Sequence, residues 1–406
     1  MSSALADAAD APSFPERRTC PYHPPESYKQ IGARGPLNKV TLWNGRRVWL
    51  ITGYELARTL LTDTRLSADR TRQEYPTMAP HLEAQAARKL VLVGEDPPLH
   101  DKHRRLLNPE FSLKRARVLQ PDIQRIIDEL VDNILAIGPG ADLVPEYAMP
   151  IPSRVMSALL GVPYEDHDFF QAATAGVMQA RDQAQSQAAG TELAQYLGKL
   201  VDAEVRRPSD GIVGRLTEHV RSGELTQDEL AQLTMVLMIA GLETTSSMIP
   251  LGVITLLEHP EQLAEFTSGE VPVPTAVEEL LRFLAVTDFG AVRWITGDIE
   301  LGPEYGDEVI RTGDGIVVSS TMANRDPGVH HDPHEFDISR GNRQHLTFGY
   351  GIHQCLGQNL ARLQLEIAYR TLFARIPTLR LGIASEDIRM RTNGTMQGVE
   401  RLPVEW

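Results

Sequence analysis

The side chain best placed for chemistry is Cys355, which lies in the glycine-rich segment Phe348-Gly-Tyr-Gly-Ile-His-Gln-Cys-Leu-Gly. Gly349, Gly351 and Gly357 allow the backbone to turn tightly and to approach a flat partner closely. The segment leads into a predicted helix, and the positive end of a helix favours a thiolate. A thiolate here is either a nucleophile or a metal ligand. The alternative is a buried cysteine with a structural role.

Helical patterns dominate the chain that must position this segment. Apolar residues from Ile123 to Leu135 recur at the spacing of one helical face, and Gly138 ends the run. Another amphipathic helix begins after Leu356. The few strand-like runs are Lys39–Trp43, Arg47–Thr52, Val292–Ile299 and Gly315–Ser319. The pattern predicts a mainly α protein, a large helical domain with a small β-rich portion.

Two capping-box patterns predict where helices begin. Thr226 and Glu229 precede a periodic stretch that continues to about His259. At ~1.5 Å per residue, this helix would be roughly 50 Å long, enough to cross the molecule. Thr275 and Glu278 repeat the pattern and predict a second helix start.

The long predicted helix contains the most apolar part of the chain, from Leu233 to Leu257, with Glu243 in its middle. A carboxylate at the centre of a membrane span would cost roughly 2.5–3.5 kcal/mol. A buried helix of a soluble protein is therefore the better interpretation. Pro250 predicts a local kink in it.

The composition excludes several classes of protein. The 406 residues are 42% hydrophobic and 23% charged, which is incompatible with a disordered chain or a small disulfide scaffold. A formal net charge of −14 disfavours nucleic acid and anionic membranes as partners. There are two cysteines, Cys20 and Cys355, and residues 1–14 carry no targeting signal and predict a loose tail. We expect a cytoplasmic protein with a single domain over residues 1–406.

The segment from Phe348 to Arg362 resembles the haem-binding loop of the cytochrome P450 enzymes, Phe-Gly-x-Gly-x-His-x-Cys-x-Gly-x-x-Leu-Ala-Arg, at every fixed position. The resemblance implies the cytochrome P450 fold around a buried haem b, with Cys355 as the thiolate ligand of its iron. It also implies that His353 contacts a haem propionate. A thiolate pushes electron density onto iron and favours O–O cleavage. The implied haem contacts in this loop are Phe348, Gly349, His353, Cys355 and Gly357.

Two further segments match motifs of the family. The segment from Ala240 to Thr244 resembles the acid–alcohol motif of the distal helix. By that resemblance Ala240 and Gly241 let the helix pass close to haem, while Glu243 and Thr244 relay protons. Without it, the same residues are equally a polar patch that packs internally. The sequence Glu279-Leu-Leu-Arg282 matches the family's Glu-x-x-Arg pair, which braces the fold and is not catalytic.

A third set of residues is implied to hold the haem propionates. His100 and Arg104 lie four residues apart, one above the other on a helix, and match the family's propionate clamp. Leu99 and Lys102 depart from the family's pattern, which leaves the clamp intact and puts the neighbouring surface contacts in doubt. Arg293, on the strand after the Glu-x-x-Arg helix, is implied to reach the other propionate.

The segment before the haem loop resembles the family's irregular meander. It contains a set of side chains whose spacing could hold zinc, namely His330, His331, Asp332 and His334. The meander interpretation is the stronger one.

The resemblance implies a soluble bacterial monooxygenase that inserts one oxygen atom of O2 into a substrate and releases the other as water. It is most like the actinomycete enzymes that hydroxylate polyketides, statins, terpenoids, steroid-like compounds and xenobiotics. The chain has no nicotinamide or flavin motif, so the electrons come from elsewhere. A basic stretch from Asp101 to Arg117, including Lys114 and Arg115, is expected to dock an acidic ferredoxin, which a ferredoxin reductase reduces. We expect a monomer.

Other functions remain open at this stage. They are a peroxide-driven or non-hydroxylating haem-thiolate enzyme, a haem sensor or carrier, and a cysteine hydrolase. Asp288 either orients an amine or hydroxyl of the substrate or faces solvent. The residues expected to line a mostly apolar substrate pocket are Met78, Leu90, Leu92, Val177, Met178, Val236, Ile239, Phe289 and Val292.

Overall fold

Helices make up most of the computed structural model, which describes residues 11–80, 90–163, 166–178, 183–288, 290–391 and 396–406. The helices are α1 Glu26–Gly32, α2 Tyr54–Leu61, α3 Leu99–Leu107, α4 Leu113–Ile137, α5 Pro150–Leu160, α6 His167–Met178, α7 Gln183–Arg206, α8 Ile212–Arg221, α9 Gln227–Leu257, α10 Pro260–Ser268, α11 Val273–Leu284, α12 Ser320–Ala323 and α13 Gln358–Arg375. The strands are β1 Leu37–Thr41, β2 Arg47–Ile51, β3 Leu66–Ser67, β4 Ala291–Ile295, β5 Ile299–Glu300, β6 Val309–Ile310, β7 Gly315–Val318, β8 Arg380–Leu381 and β9 Val404–Glu405. The mainly α class is confirmed.

The longest of these helices, α9, begins where the sequence predicts. The Thr226 hydroxyl accepts a hydrogen bond from the Glu229 N–H at 3.0 Å, and the Glu229 carboxylate accepts one from the Thr226 N–H at 2.7 Å. The predicted capping box is therefore confirmed. The helix continues through Pro250 and ends at Leu257. Within the described ranges it is the one helix long and apolar enough to cross a membrane, and most of it is buried in the protein's own core.

Helix α13 packs against α4 and α9 and confirms the helix predicted after Leu356. Its Tyr369 hydroxyl donates to the Met248 carbonyl oxygen of α9 at 2.7 Å. Gly252 makes room for this contact, because a Cβ at that position would overlap the Tyr369 hydroxyl. Helix α4 likewise confirms the predicted face from Ile123 to Ile134, whereas Leu135 is exposed. Gly138 ends the helix with a φ of 91°.

Five strands form one sheet in the order β1-β2-β7-β4-β3. Strands β2 and β7 run parallel, and the other neighbours are antiparallel. Within it, Arg293 of β4 pairs with Ile316 of β7. Each predicted strand-like run overlaps an observed strand, although the run Val292–Ile299 overlaps both β4 and β5. Strands β5 and β6 form one small sheet, and β8 and β9 form another.

The second predicted capping box is wrong. Helix α11 begins at Val273 after Pro272, two residues before Thr275. Pro274 lies in the first turn, where proline is favoured since the ring fixes φ and the missing N–H has no intrahelical partner. The side chain of Glu278 is therefore free to bind other parts of the chain.

The last residue of the predicted loose tail, Phe14, is fixed to the rest of the protein. Phe14 is buried, and its N–H donates to the Thr41 carbonyl oxygen of β1 at 3.0 Å. Residues 1–10 lie outside the described parts of the chain. The division into domains stays a prediction.

Candidate active site

Cys355 follows a single helical turn over Gly351–His353 and precedes the first turn of α13. Its N–H donates to the Phe348 carbonyl oxygen at 2.8 Å, which folds the segment back on itself. Gly351 has a φ of 74°, and a Cβ there would collide with the Leu61 carbonyl oxygen. The loop therefore requires glycine at this position, for its conformation and for its close approach to α2.

The electrostatics of the Cys355 sulfur differ from the sequence-based expectation. Burial raises the pKa of the thiol above its ordinary value, because a charged sulfur would lose its water. Backbone N–H groups of Gly357 and Gln358 act in the opposite direction, and so does the charge of Arg104. In the protein alone burial dominates, whereas a metal cation at the sulfur would favour the thiolate.

A cavity of about 260 Å³ lies beside Cys355. The predicted site residues on its wall are His100, Arg104, Ala240, Gly241, Thr244, Phe348, His353, Cys355 and Gly357. Much of the remaining wall is apolar, with Leu237 of α9 and Leu281 of α11 as examples. The structure thus brings together three segments that lie far apart in the sequence. Of the predicted site residues, Glu243, Arg293 and Gly349 do not line this cavity.

One end of the cavity carries two imidazoles and the Arg104 guanidinium, which has no ion pair among the described residues. The buried His100 ring has its Nδ1 3.1 Å from Asp101 Oδ1, while its Nε2 has no partner in the described parts of the chain. The His100 and His353 ring centroids are 4.2 Å apart. Burial, with the positive charge of Arg293, lowers the pKa of His353 to about 2. Burial also lowers the pKa of Arg104, and no described carboxylate forms an ion pair with it.

These groups fit the haem that the family would place here. An unpartnered imidazole nitrogen and an unpaired guanidinium are donors for a carboxylate such as a haem propionate. Cys355, on the same cavity wall, supplies the sulfur that iron requires. Arg293 is not on the wall and donates to the Val292 carbonyl oxygen at 2.7 Å, although its charge acts on His353.

The α9 side of the cavity carries the predicted alcohol. The Thr244 hydroxyl donates to the Ala240 carbonyl oxygen at 2.9 Å, and both residues lie on the wall. The space left by the missing side chain of Gly241 is taken by α5, because a Cβ there would lie 2.8 Å from the Met156 sulfur. The glycine therefore serves helix packing as well as the cavity wall.

The predicted acid faces a different environment. Glu243 is 6% exposed, and its Oε2 has no hydrogen-bond partner in the described parts of the chain. Burial raises the pKa of Glu243 to about 7, against the opposing charge of Arg391. Arg391 itself donates to the Ser247 hydroxyl one turn further along α9. The structure thus separates the acid from the alcohol, because only Thr244 reaches the wall.

The Glu-x-x-Arg pair is buried and closely matched. The Arg282 Nε and Nη2 each donate to a Glu279 carboxylate oxygen at 2.7 Å. Arg282 also donates to the carbonyl oxygens of Asn324 and Pro333, both at 2.9 Å. The pair therefore connects α11 to the meander that leads to the haem loop.

Sequence reasoning missed the role of Glu278. Its carboxylate accepts hydrogen bonds from Arg362 of α13 at 2.6 Å and from the His345 ring at 2.9 Å. Burial alone would raise the pKa of Glu278, but these two partners hold it at about 2. The segment around Cys355 is thus anchored to α11 on both sides. The match of Arg362 to the family's loop is the one sequence signal that could have indicated this.

Two polar candidates from the sequence, the possible zinc ligands around His330 and the acidic residue Asp288, lie outside the cavity and are held by the fold. The described residues contain no group of side chains that could hold a metal ion, and His330 is buried with a pKa lowered by burial to about 4. Asp288 faces neither substrate nor solvent. The Nε and Nη2 of buried Arg18 donate to Asp288 at 3.0 and 2.8 Å, and Gln397 donates to it at 2.8 Å. No local sequence pattern indicates a partner so far away.

The predicted pocket lining is confirmed only in part. Leu92 and Val236 line the cavity, whereas the other described candidates, Met78, Leu90, Ile239 and Val292, do not. The side chains of Val177 and Met178, the whole of Phe289 and the stretch 81–89 lie outside the described residues.

Comparisons with known proteins agree with this arrangement. The family model of cytochrome P450 matches residues 155–267 and 273–376. A vitamin D3 dihydroxylase from Streptomyces griseolus is 45% identical over 399 residues, which cover 98% of this chain and 97% of that protein. Pentalenic acid synthase from Streptomyces avermitilis is 45% identical over 395 residues, 97% of each chain.

A solved structure gives the same result for the fold. Mycinamicin VIII C21 methyl hydroxylase from Micromonospora griseorubida, bound to mycinamicin VIII, is similar with a TM-score of 0.91 at 37% identity. The match covers 97% of this chain and 100% of that one. The cysteine loop, the cavity beside it and these relatives lead to one conclusion: the chain belongs to the cytochrome P450 family and is a haem-dependent monooxygenase.

Proposed function

We propose that this P450 hydroxylates a sizeable hydrophobic small molecule, of the size of a polyketide, terpenoid or steroid-like compound, with electrons supplied by a ferredoxin and its reductase. The observation that carries the haem chemistry of the proposal is the cavity beside Cys355, with its cationic end at His100 and Arg104. The apolar remainder of its wall favours a hydrophobic substrate. The relatives support the substrate class, since their names include vitamin D3 and mycinamicin VIII. The cofactor in this proposal is haem b.

Different residues of the chain would hold different parts of that cofactor. Cys355 is the iron ligand, and Phe348, Gly349 and Gly357 shape the loop on that side. His100, Arg104 and His353 would hold propionate oxygens, and the charge of Arg293 acts on His353. When bound, the haem supplies activation of O2 and transfer of one oxygen atom to the substrate.

Glu243 and Thr244 manage protons in this proposal. Glu243 takes up and releases a proton near neutral pH, because burial raises its pKa to about 7. Thr244 lies on the cavity wall and its hydroxyl can accept one hydrogen bond while it donates another. Because Glu243 itself does not reach the wall, its proton enters the cavity through the Thr244 hydroxyl or an ordered water.

The basic stretch near α4 offers fewer free charges to a ferredoxin than the sequence suggests. Lys102 lies 2.9 Å from Glu229, and Arg105 forms an ion pair with Glu224. Lys114 is exposed on α4. We expect Lys114→Glu to slow ferredoxin-supported turnover and to leave peroxide-supported turnover unchanged, with the exposed Lys199→Glu on α7 as the matched control. Equal rates for both variants would contradict this docking surface.

The experiment for the substrate class is an optical titration of the ferric protein with macrolides, terpenoids and secosteroids. A bound substrate that displaces water from the iron is expected to shift the Soret band to shorter wavelength. Turnover under ¹⁸O2 should then place one labelled oxygen atom in the product. A haem spectrum that no compound changes would contradict the substrate class, and a purified protein without a Soret band would contradict the cofactor.

A further inference from the structure

A second cavity of about 550 Å³ shares no lining residue with the cavity beside Cys355. It lies between α1, the start of α2, and α12 with the residues that follow it. Its size falls within the roughly 300–1,000 Å³ that small-molecule sites occupy. Nothing in the monooxygenase reaction described above uses it.

The wall of this cavity includes the buried guanidinium of Arg325, which is 5% exposed. Its Nη1 donates to the Thr321 carbonyl oxygen at 3.2 Å, and its Nη2 donates to the Phe283 carbonyl oxygen at 2.5 Å. Its Nε has no hydrogen-bond partner in the described parts of the chain. The Nη2 also donates to the Tyr22 carbonyl oxygen at 3.5 Å. Of the five N–H donors of this guanidinium, the Nε–H and one Nη1–H therefore have no partner among the described residues.

Arg325 has no ion pair of its own among the described residues, unlike its neighbours, although the charges of Glu279 and Asp288 act on it from a distance. Buried Arg18 is paired with Asp288 at 2.8 Å, and buried Arg282 is paired with Glu279 at 2.7 Å. No ion pair involves Arg325 among the residues the structure describes. Burial and the charges of Arg18 and Arg282 lower the pKa of Arg325 to about 9. A buried cation without a counter-charge is costly, so an anion bound nearby would stabilise the folded protein.

The two carboxylates of the cavity do not neutralise this charge. Asp326 accepts hydrogen bonds from the N–H groups of Tyr54 and Gly328, both at 2.8 Å. Glu55 is exposed and lies 3.4 Å from Arg58. Lys29, on α1, adds a positive charge to the exposed part of the lining.

We propose that this cavity is a second ligand site, outside the catalytic centre, and that it binds an amphipathic monocarboxylate. The positive charge of Arg325 on the wall favours an anion, and the apolar side chains beside it favour a carboxylate with a hydrocarbon tail over an inorganic phosphate. The buried side chains of Leu56 and Met322 offer an apolar surface to the rest of the ligand. Lys29 attracts the anion from solvent.

The test is calorimetric titration of the haem-loaded protein with octanoate and, as the neutral control, 1-octanol. A charge-assisted hydrogen bond of roughly 1.5–3 kcal/mol predicts that octanoate binds about 10- to 100-fold more tightly than 1-octanol. Octanoate bound here should leave the Soret band unchanged and should raise the unfolding temperature as its concentration rises. A Soret shift that saturates together with the heat would place octanoate in the haem cavity and overturn the proposal.

Substitutions at the exposed part of the lining locate the site without disturbing the core. Ala33→Trp should obstruct the cavity and abolish octanoate binding, whereas Arg34→Trp, at an exposed neighbour outside the lining, should not. Lys29→Glu should weaken octanoate binding at least threefold, with Gln30→Glu on the same helix as its control. Octanoate binding that is unchanged by Ala33→Trp, or no tighter than that of 1-octanol, would overturn the assignment.

Discussion

The substitution Glu243→Gln tests the electrostatics of α9 most directly. Glu243 is 6% exposed, and burial raises its pKa from 4.5 to about 7 in spite of the charge of Arg391. A carboxyl group with a raised pKa binds its proton more tightly in the folded chain than in the unfolded chain. Its contribution to stability is therefore fully present below the unfolded pKa, near 4.5, and is lost as the pH rises through about 7.

The size of this effect follows from the two pKa values. The difference between 4.5 and about 7 corresponds to roughly 3 kcal/mol of unfolding free energy. Glutamine is neutral at every pH and has nearly the same shape. Relative to the wild-type protein, the Glu243→Gln variant should therefore be more stable at about pH 8 than at about pH 5 by roughly 2.5 kcal/mol, most of the full effect.

The assay is urea unfolding of both proteins at the two pH values, followed by circular dichroism. The exposed Glu218→Gln on α8 is the matched control, and its difference from wild type should not change with pH. In turnover, the ratio of product to electrons consumed should depend on pH near 7 in the wild type and be flat in Glu243→Gln. A stability difference that is the same at both pH values would refute the buried-acid interpretation of Glu243.

Two further substitutions test the packing around the haem loop. Glu279→Gln leaves the buried Arg282 guanidinium without its counter-charge. We therefore expect a loss of about 3–5 kcal/mol in unfolding free energy together with reduced haem content. A urea midpoint equal to that of the wild type would contradict this. Gly252→Ala places a Cβ against the Tyr369 hydroxyl and should cost about 1–3 kcal/mol. The control Gly198→Ala, where nothing lies within 4 Å of the new Cβ, should stabilise α7 by up to ~1 kcal/mol. Both are measured by urea unfolding, and equal effects at the two glycines would refute the packing argument.

The parts of the fold that the sequence predicted are those with a local signal. The capping box at Thr226 is complete within four residues, and the same span fixes the start of α9. The loop around Cys355 carries its own glycines and its own helix start. Thr275 shows the limit of such signals. Helix α11 begins two residues earlier, at Val273, with Pro274 in its first turn, so the pattern at Thr275 has no capping role.

The contacts that could not be predicted join residues far apart in the chain. Arg18 reaches Asp288 across 270 positions, and Glu278 reaches Arg362 across 84. Neither pairing has a periodicity or a motif that specifies its partner. The direction of the Glu243 side chain could not be predicted either, because its position on the helix allows the side chain to point to the cavity or to the side that carries Arg391. Tertiary packing decides these cases, and a single sequence does not encode it locally.

The arginines in the interior of the molecule are of two kinds, those paired with a carboxylate and those without such a pair among the described residues. Arg18 and Arg282 each have a carboxylate within hydrogen-bond distance, and both lie at positions that only brace the fold. Arg104 lacks such a partner among the described residues and lies on the wall where a haem carboxylate is expected. Arg325 shows the same lack of a partner beside the second cavity. Arg104 is partly buried and Arg325 is 5% exposed. Because the cost of an unpaired charge rises with burial, the reasoning that assigns an anion to Arg104 applies at least as strongly to Arg325.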